Sequence, residues 1–362
     1  MKAAILRANN APMQIEDVVV ADPGPREVLV RMAAAGVCHS DLHIAVGDLP
    51  HPLPAILGHE AAGIVERVGA QVTAVRPGDH VIISLTFPCG HCDQCDGGHG
   101  NRCANPDAMR GAGQSPRLSI GSEAIGQFMN MGAFAEHILV HESGCVSIRK
   151  DMPLDRACLI SCGVATGFGA VVRSAGVRPG ESIAVIGCGG VGLAAINGAA
   201  VAGAGRIIAI DRLPIKLAMA QQFGATDVID ASTNGVVDAV MALTGGKGVD
   251  HAIEAIGRKE TIEDAFNMLA KGGVATVLGA GKRDTMVTIP ALALLREKRL
   301  QGSMMGGVRT AIDIPRYVDL YMAGKLKLDE LISRRRPLSE INEAFDDLRK
   351  GEVARTVIVF DN

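Results

Sequence analysis

Four cysteines, Cys89, Cys92, Cys95 and Cys103, fall within fifteen residues in the pattern C-x2-C-x2-C-x7-C. Thiolates at such spacing close a tetrahedron around one zinc ion and leave no coordination position for water or substrate. A closed site is structural, so the run predicts a metal without predicting any chemistry. Residues for an open site must lie elsewhere. Cys38 in GVCHSDLH, His59 in GHE and Cys162 in SCGVATG are candidates. Two cysteines and one histidine form a known catalytic zinc set with the fourth position open. Singly, each has a blander reading: a lone cysteine is more often a small buried hydrophobe, and a lone histidine more often satisfies a local hydrogen bond. Carboxylates stand nearby, Asp41 after Cys38 and Glu60 beside His59, and a metal-bound imidazole passes its second N–H to such a group. Spacing alone does not bring the three ligands together.

A second kind of chemistry is written in Gly187-Cys188-Gly189-Gly190-Val191-Gly192, a GxGxxG, with Asp211 following 19 residues after Gly192. In a strand–turn–helix context Gly187 allows the tight turn, Gly189 lets a pyrophosphate approach the backbone, and Gly192 allows close helix–strand packing. The helix N-terminus offers free N–H groups and a positive dipole to phosphate. Asp211 suits the two hydroxyls of an adenosine ribose and repels a 2′-phosphate, which favours NAD over NADP; Arg212 beside it pulls the other way.

The elements that must hold these residues divide the chain. Up to about residue 163, short apolar runs such as Val28–Met32, Gly63–Val68, His80–Ile83 and Ala135–Val140 alternate with Gly/Pro turns, which predicts a mainly antiparallel β domain. The cysteine lobe, 86–105, is too polar to build a core, so a metal staple is physically sensible there. From Ser182 onward strands and helices alternate: Ile183–Ile186, Arg206–Asp211, Asp227–Asp230, Val249–Ala255, Val274–Gly279 and about Leu300–Met305 as strands, with helices at Gly190–Ala202, Pro214–Phe223, Val236–Leu243 and Thr261–Lys271. Such alternation predicts a doubly wound parallel sheet of the Rossmann type, an α/β fold. The stretch 305–362 is too short for a domain and is expected to return to the β domain, ending in a strand Thr356–Phe360. The expected divisions are thus 1–163, 164–304 and 305–362.

Composition narrows the functions. The chain has 362 residues, 36 Lys+Arg against 39 Asp+Glu, and no Trp. No basic stripe or aromatic platform suggests nucleic acid, and Arg334-Arg335-Arg336 reads as a solvated surface. No run of about 18 apolar residues suggests a membrane span. Nine cysteines without a signal-peptide pattern fit metal ligation in a reducing, cytoplasmic setting. Cys145, Cys158 and Cys188 read as buried thiols, and His51, His91 and His99 as solvated loop residues.

GVCHSDLH, GHEAAGIVERVG, the four-cysteine lobe, SCGVATGFGAVV and the GxGxxG, in this order, resemble the zinc-dependent medium-chain alcohol dehydrogenase family over nearly the whole chain. The resemblance implies a GroES-like catalytic domain beside the Rossmann domain, and two zinc ions per subunit. One is at Cys38, His59 and Cys162, with Glu60 close behind and Asp41 orienting His59; the other is in the lobe. It implies NAD, with Gly190, Val191, Lys216 and Arg212 near its adenosine or phosphates, His39 and Arg355 at the pyrophosphate, and Thr166, Leu278, Gly279 and Ala280 at the nicotinamide. It implies that an alcohol proton leaves through Ser40 and His43 while hydride passes to NAD in a water-poor cleft. Leu85, Phe87, Phe128 and Met129 match substrate-channel positions, all apolar, which points to a medium-sized aliphatic, allylic or benzylic primary alcohol and its aldehyde. Relatives pair their last sheet strand across a two-fold axis, so a homodimer, or a tetramer, is expected. Two other readings stand beside this one. A thiol-adduct formaldehyde dehydrogenase, using glutathione or mycothiol, shares the long 111–132 segment. Glutathione users carry arginine where Asp107 stands here, with Arg110 three residues on. A non-enzymatic zinc module is opposed by the dinucleotide fingerprint.

Overall fold

The computed structural model describes residues 1–111, 113–233, 235–351 and 353–360. Ala112 of the 111–132 segment, Glu352, and the last two residues of the expected 305–362 stretch lie outside the described residues. The chain divides into two units, Met1–Cys162 with Arg309–Ala323 and Leu328–Asn362, and Gly163–Val308 with Gly324–Lys327.

The first unit is built on a sheet whose strands run in the order Cys145–Ile148, His80–Ile83, Glu60–Val68, Glu27–Gly36, Arg355–Val359, Ile332–Pro337, with His137–His141 also pairing Glu27–Gly36. All these pairs are antiparallel except the last two strands in that order, which are parallel. A smaller sheet, Gly126–Gln127, Ala55–Ile56, Lys2–Leu6 and Gln14–Asp17, closes over the core. Ile5, Leu6, Met32, Phe134 and Phe345 are essentially inaccessible there, and the Phe134 and Phe345 rings meet edge to face at 6.0 Å. Glu27–Gly36 and Glu60–Val68 matter most for function, because their ends carry Cys38 and His59.

One polar cluster inside this unit ties the segment after the lobe to the sheet. Glu27, only 8 % exposed, accepts from Arg117 Nε at 2.7 Å and Arg110 Nη2 at 2.6 Å. Burial pushes the Glu27 carboxyl up, but the two guanidinium bonds and the Gly24 N–H outweigh it and hold it at about 2. A carboxyl depressed on folding contributes stability in full above its unfolded pKa, and loses it as pH falls toward the folded value. Glu27→Gln is therefore expected to lower stability by up to about 3 kcal/mol at pH 7. Urea titrations should show the gap to wild type closing as pH falls from about 4.5 toward 2; a gap independent of pH overturns this.

The second unit is a six-stranded parallel sheet in the order Asp227–Asp230, Arg206–Asp211, Ser182–Ile186, Val249–Glu254, Leu269–Val277, Arg299–Gly302. The order reverses between the first strand and the fourth, and ligands of such sheets bind at that switch point. Residues 183–186 and 207–210 are buried throughout, as strands covered on both faces must be. The helix Gly190–Ala202 uses its small residues for close approach: a Cβ on Gly198 would stand 3.1 Å from Phe168 Cα.

Two expectations need correction. The helix expected at Thr261–Lys271 is Lys259–Asn267, and Leu269–Val277 is already strand. Arg334–Arg336 are not merely solvated. They lie in the edge strand Ile332–Pro337, and each pairs with a carboxylate: Arg334 with Asp347, Arg335 with Asp155 at 2.9 Å, Arg336 with Asp347 at 2.9 Å and Glu340 at 2.6 Å. The expectation of no membrane span stands: among the described residues one helix, Leu154–Ala175, is long and apolar enough to cross a membrane, and 78 % of its apolar window is buried inside the protein. It is a core helix whose apolar length serves packing.

Candidate active site and metal centres

Cys38 ends the turn after Glu27–Gly36 and is the N-cap of the helix His39–Ala45. Asp41 takes part in that cap: its Oδ2 accepts from Cys38 N–H at 3.2 Å. Its Oδ1 accepts from Gly58 N–H at 2.9 Å and from His59 Nδ1 at 3.0 Å. One buried carboxylate thus closes a helix end, fixes the turn before the next strand and sets the tautomer of His59. His59 and Asp41 are both fully buried. With Nδ1–H on Asp41, His59 Nε2 carries a lone pair, is buried and makes no hydrogen bond. Leaving such an atom unsatisfied costs about 1–3 kcal/mol.

That lone pair faces two thiols. The ligand atoms of Cys38, His59 and Cys162 all lie within 4.8 Å of one another, and all three residues are buried. Ser161 sets the approach of Cys162: its hydroxyl donates to His59 O at 3.0 Å and to Ile83 O. The Cys38 thiol is held well below its ordinary value by the Cys162 hydrogen bond and by Arg355 and His59, against burial. The same bond and burial push Cys162 up. An orphaned imidazole nitrogen and two buried thiols within 4.8 Å of it are the donor set of an open zinc site, so the residues fit that metal.

Glu60 and Arg355 lie behind the set. Glu60 is fully buried, and burial raises its carboxyl to about 7, opposed by Arg355, with Cys38 adding to the rise. Arg355 Nη2 is 3.4 Å from Glu60 Oε1. The resemblance assigns Arg355 to a pyrophosphate; here it is 3 % exposed, and its charge offsets Glu60 and the thiols. A buried guanidinium is held where a buried carboxylate meets it. Glu60 reaches this place because Gly36, its cross-strand partner, has no side chain: a Cβ on Gly36 would stand 2.1 Å from Glu60 Oε2.

Phe128 meets the His59 ring edge to face at 5.5 Å. The backbone beyond it is held in the left-handed region at Met129 (φ 51) and Asn130 (φ 60), a conformation that non-glycine residues adopt rarely. Met129 is 36 % exposed and Leu85 is half-buried. Phe87 and Phe128 are each 6 % exposed, and the Phe87 ring also lies against Gly144, where a Cβ would stand 2.4 Å from it. His51, read as solvated, is half-buried with its ring 5.4 Å from Phe128. Ser40 Oγ lies 4.0 Å from Cys38 Sγ, and His39 is exposed. Cys158 is buried and outside the metal set, its thiol bonded to Asp155 O at 3.3 Å.

The lobe cysteines also come together, with all four sulfurs within 4.8 Å of one another. Backbone N–H groups of Cys89 and Gly90 point at Cys103 and Cys95 sulfurs at 3.4 Å each, made possible by Gly90 at φ 86. N–H donors aimed at sulfur favour thiolates, so the lobe fits a closed four-thiolate zinc site.

In the second unit Gly187 has φ 92 and accommodates Ile256, whose Cγ1 would be 2.6 Å from a Cβ. A Cβ on Gly192 would lie 1.7 Å from Gly187 O, while nothing lies within 4 Å of one on Gly189. The middle glycine of the turn is therefore open, and the other two are closed by packing. Gly189 caps the helix Gly190–Ala202 without a side-chain bond, which leaves its first N–H groups for an anion. Asp211 Oδ2 accepts from Cys188 N–H at 2.8 Å and Oδ1 from Leu213 N–H at 3.1 Å. It thus braces the turn; Arg212 beside it is exposed and Lys216 half-buried. Thr166 Oγ1 donates to Met305 Sδ at 3.4 Å. Leu278 and Gly279, with exposed Ala280 after them, leave the sheet at its carboxyl edge, where Glu254 O accepts their N–H groups at 2.7 and 3.2 Å.

Sequence reasoning missed Ser161, Gly36 and the bracing role of Asp211. Ser161 sits in a quoted motif, but only the fold shows it reaching the backbone of His59.

Comparison with known proteins agrees with this geometry. The family description "Alcohol dehydrogenase GroES-like domain" matches residues 24–150, and "Zinc-binding dehydrogenase" matches 190–322. The chain is 39 % identical over 364 aligned residues, covering 99 % of it and 96 % of the relative, to "Probable S-(hydroxymethyl)glutathione dehydrogenase 1" of Schizosaccharomyces pombe. The solved alcohol dehydrogenase zinc-binding domain protein of Burkholderia ambifaria superposes with a TM-score of 0.95 at 36 % identity, covering 100 % and 99 % of the two chains. Benzyl alcohol dehydrogenase of Acinetobacter calcoaceticus does so with 0.94 at 33 % identity, covering 99 % of each. The chain belongs to the zinc-dependent, NAD-linked alcohol dehydrogenases of the medium-chain family.

Proposed function

We propose that this enzyme interconverts a primary alcohol of medium size, aliphatic, allylic or benzylic, with its aldehyde. The observation that carries the site assignment is the buried, unbonded Nε2 of His59 facing Cys38 and Cys162. A zinc ion held by these three residues supplies a Lewis acid for the substrate oxygen, and NAD supplies the hydride acceptor. The chain's own residues do the rest. Asp41 keeps His59 in the ligating tautomer. Ser40 accepts the alcohol proton, and His43 carries it onward. Leu85, Phe87, Phe128 and Met129 present an apolar wall to the substrate chain. Gly187 to Gly192 and the helix start receive the pyrophosphate, Asp211 the adenosine ribose, and Thr166 with Leu278 to Ala280 the nicotinamide. The first unit then acts as the catalytic domain and the second as the NAD domain.

Each buried CH2 contributes about 0.8 kcal/mol, so kcat/KM for hexanol, geraniol or benzyl alcohol should exceed that for ethanol by at least about tenfold. Ethanol preferred over all three would overturn the substrate class.

A thiol adduct of formaldehyde is the second reading, favoured by the name of the yeast relative. Arg110, three residues on from Asp107, is already engaged: its N–H groups serve Glu27 and the carbonyls of Asp22, Ser115 and Pro116. S-hydroxymethylglutathione belongs in the same panel, and its dominance would install this reading.

We place the protein in a reducing, cytoplasmic setting, where all nine free cysteines persist. The strand Arg299–Gly302 is a sheet edge. Near it in the chain Met286, Leu292 and Leu295 are 78 %, 67 % and 81 % exposed. Bare edges and apolar patches of this kind are covered by a second copy. Light scattering is expected to give a dimer or a tetramer built from it; a monomer at micromolar concentration refutes this.

A further inference from the structure

The helix His39–Ala45 puts Ser40 and His43 three residues apart, hence on one face. Immediately after it the chain turns back on itself. Gly47, at φ 84, donates to Ile44 O at 3.0 Å, and Leu49 N–H donates to His43 O at 3.2 Å. Asn9 and Asn10, from the turn after Lys2–Leu6, donate to Ile44 O at 2.7 Å and Val46 O at 3.2 Å. This small loop returns Asp48 to the helix, and its Oδ2 lies 3.1 Å from His43 Nδ1. An ionised carboxylate only accepts, so Nδ1 bears the hydrogen and Nε2 is the basic nitrogen.

We propose that Asp48 is a positioning residue for proton exit: it holds His43 in the tautomer and orientation that leave Nε2 to take the substrate proton. The proposal rests on the relay reading of Ser40 and His43 above. In the step, Nε2 forms a bond to the incoming proton, Nδ1–H stays on the Asp48 carboxylate, and the imidazolium then releases one proton to water. Asp48 remains ionised throughout.

The surroundings support a dedicated role. The neighbouring side chains from the first turn, Asn9 and Asn10, are neutral and spent on the backbone. Asp41, on the same helix, is turned inward to Cys38, Gly58 and His59; His39 at its start is exposed. The His43 and Asp48 side chains are 31 % and 39 % exposed. An ion pair that open to solvent contributes about 0–1 kcal/mol to stability, so a stabilising role is a weak account of a loop built to deliver it.

The test uses the full-length zinc enzyme, with single-turnover NADH formation, alcohol KM, zinc content and thermal unfolding as readouts. Asp48→Ala is expected to slow turnover about tenfold, with KM changed by less than about twofold, and zinc and unfolding unchanged. Added imidazole should restore the rate. Asp48→Asn, whose amide oxygen still accepts Nδ1–H, should retain most of it. Wild-type rate in Asp48→Ala beside a slow His43→Gln overturns the proposal. So does an Asn variant as slow as Ala, which would assign the effect to charge. Wild-type rate in His43→Gln defeats the relay reading itself, and the proposal with it.

Discussion

Cys162→Ser is expected to lower alcohol oxidation at least about a thousandfold, about 4 kcal/mol of transition-state stabilisation, while the protein stays folded and keeps about one zinc per chain. The reason lies in the donor set. Cys162 closes a buried triangle with Cys38 and His59, and an alcohol oxygen is a poor substitute for a thiolate toward zinc. Ser161 already bonds the His59 backbone and Ile83, so the ligand geometry around the change should persist. The control is Cys158→Ser. Cys158 is also buried but lies outside the triangle, so the hydroxyl there should cost stability and leave the zinc count at two. Full activity in Cys162→Ser, or an unchanged zinc count, refutes the assignment. Equal losses in both variants would mean that burial, not ligation, is what the change disturbs.

Cys103→Ala is expected to act in the opposite order. The lobe sulfurs are partly exposed, and the segment from Asp93 to Asp96 has no buried residue. No core holds it; beyond its own backbone turns, such as His99 N–H to Gln94 O at 2.7 Å, its fixed points are the sulfurs and the N–H groups aimed at them. Removing one thiolate leaves three ligands and an open position, and structural zinc of this kind contributes several kcal/mol to folding. The variant should lose about one zinc, unfold at a temperature lower by more than about 5 °C, and lose activity in proportion to the protein that unfolds. Tm and zinc measured beside kcat for the soluble fraction separate this from a catalytic role. A variant with normal Tm and near-zero kcat would reverse the assignment.

How much of this was legible in sequence depended on how local each feature is. The lobe was legible outright, because its ligands lie within one short segment. The glycine turn was legible because strand, turn, helix and Asp211 follow in order, and the strand Arg206–Asp211 and the helices Gly190–Ala202 and Pro214–Phe223 have the expected bounds. The Cys38–His59–Cys162 set was legible only through resemblance, since more than 100 residues separate its ends and the sheet brings them together. The end of the helix Lys259–Asn267 was misplaced because Gly272 and Gly273 look like a helix stop, whereas they lie within Leu269–Val277, which carries a register shift against its neighbour. The strand Ile332–Pro337 was missed because three successive arginines read as solvent-facing, and their carboxylate partners lie on other elements. Asp48 carried no signal, since its partner is set by a left-handed glycine one residue earlier.

The approach of Gly36 to Glu60 also constrains the routes by which this site can evolve. With Glu60 in place, any side chain at Gly36 collides with its carboxylate, so that position is closed to substitution. If Glu60 were first replaced by a residue without the carboxylate, the severest clash would go, leaving a Cβ–Cβ approach of 3.0 Å at Gly36. The two positions are therefore coupled, and the order of substitution matters: a lineage can pass through loss of the carboxylate, but not through loss of the glycine first.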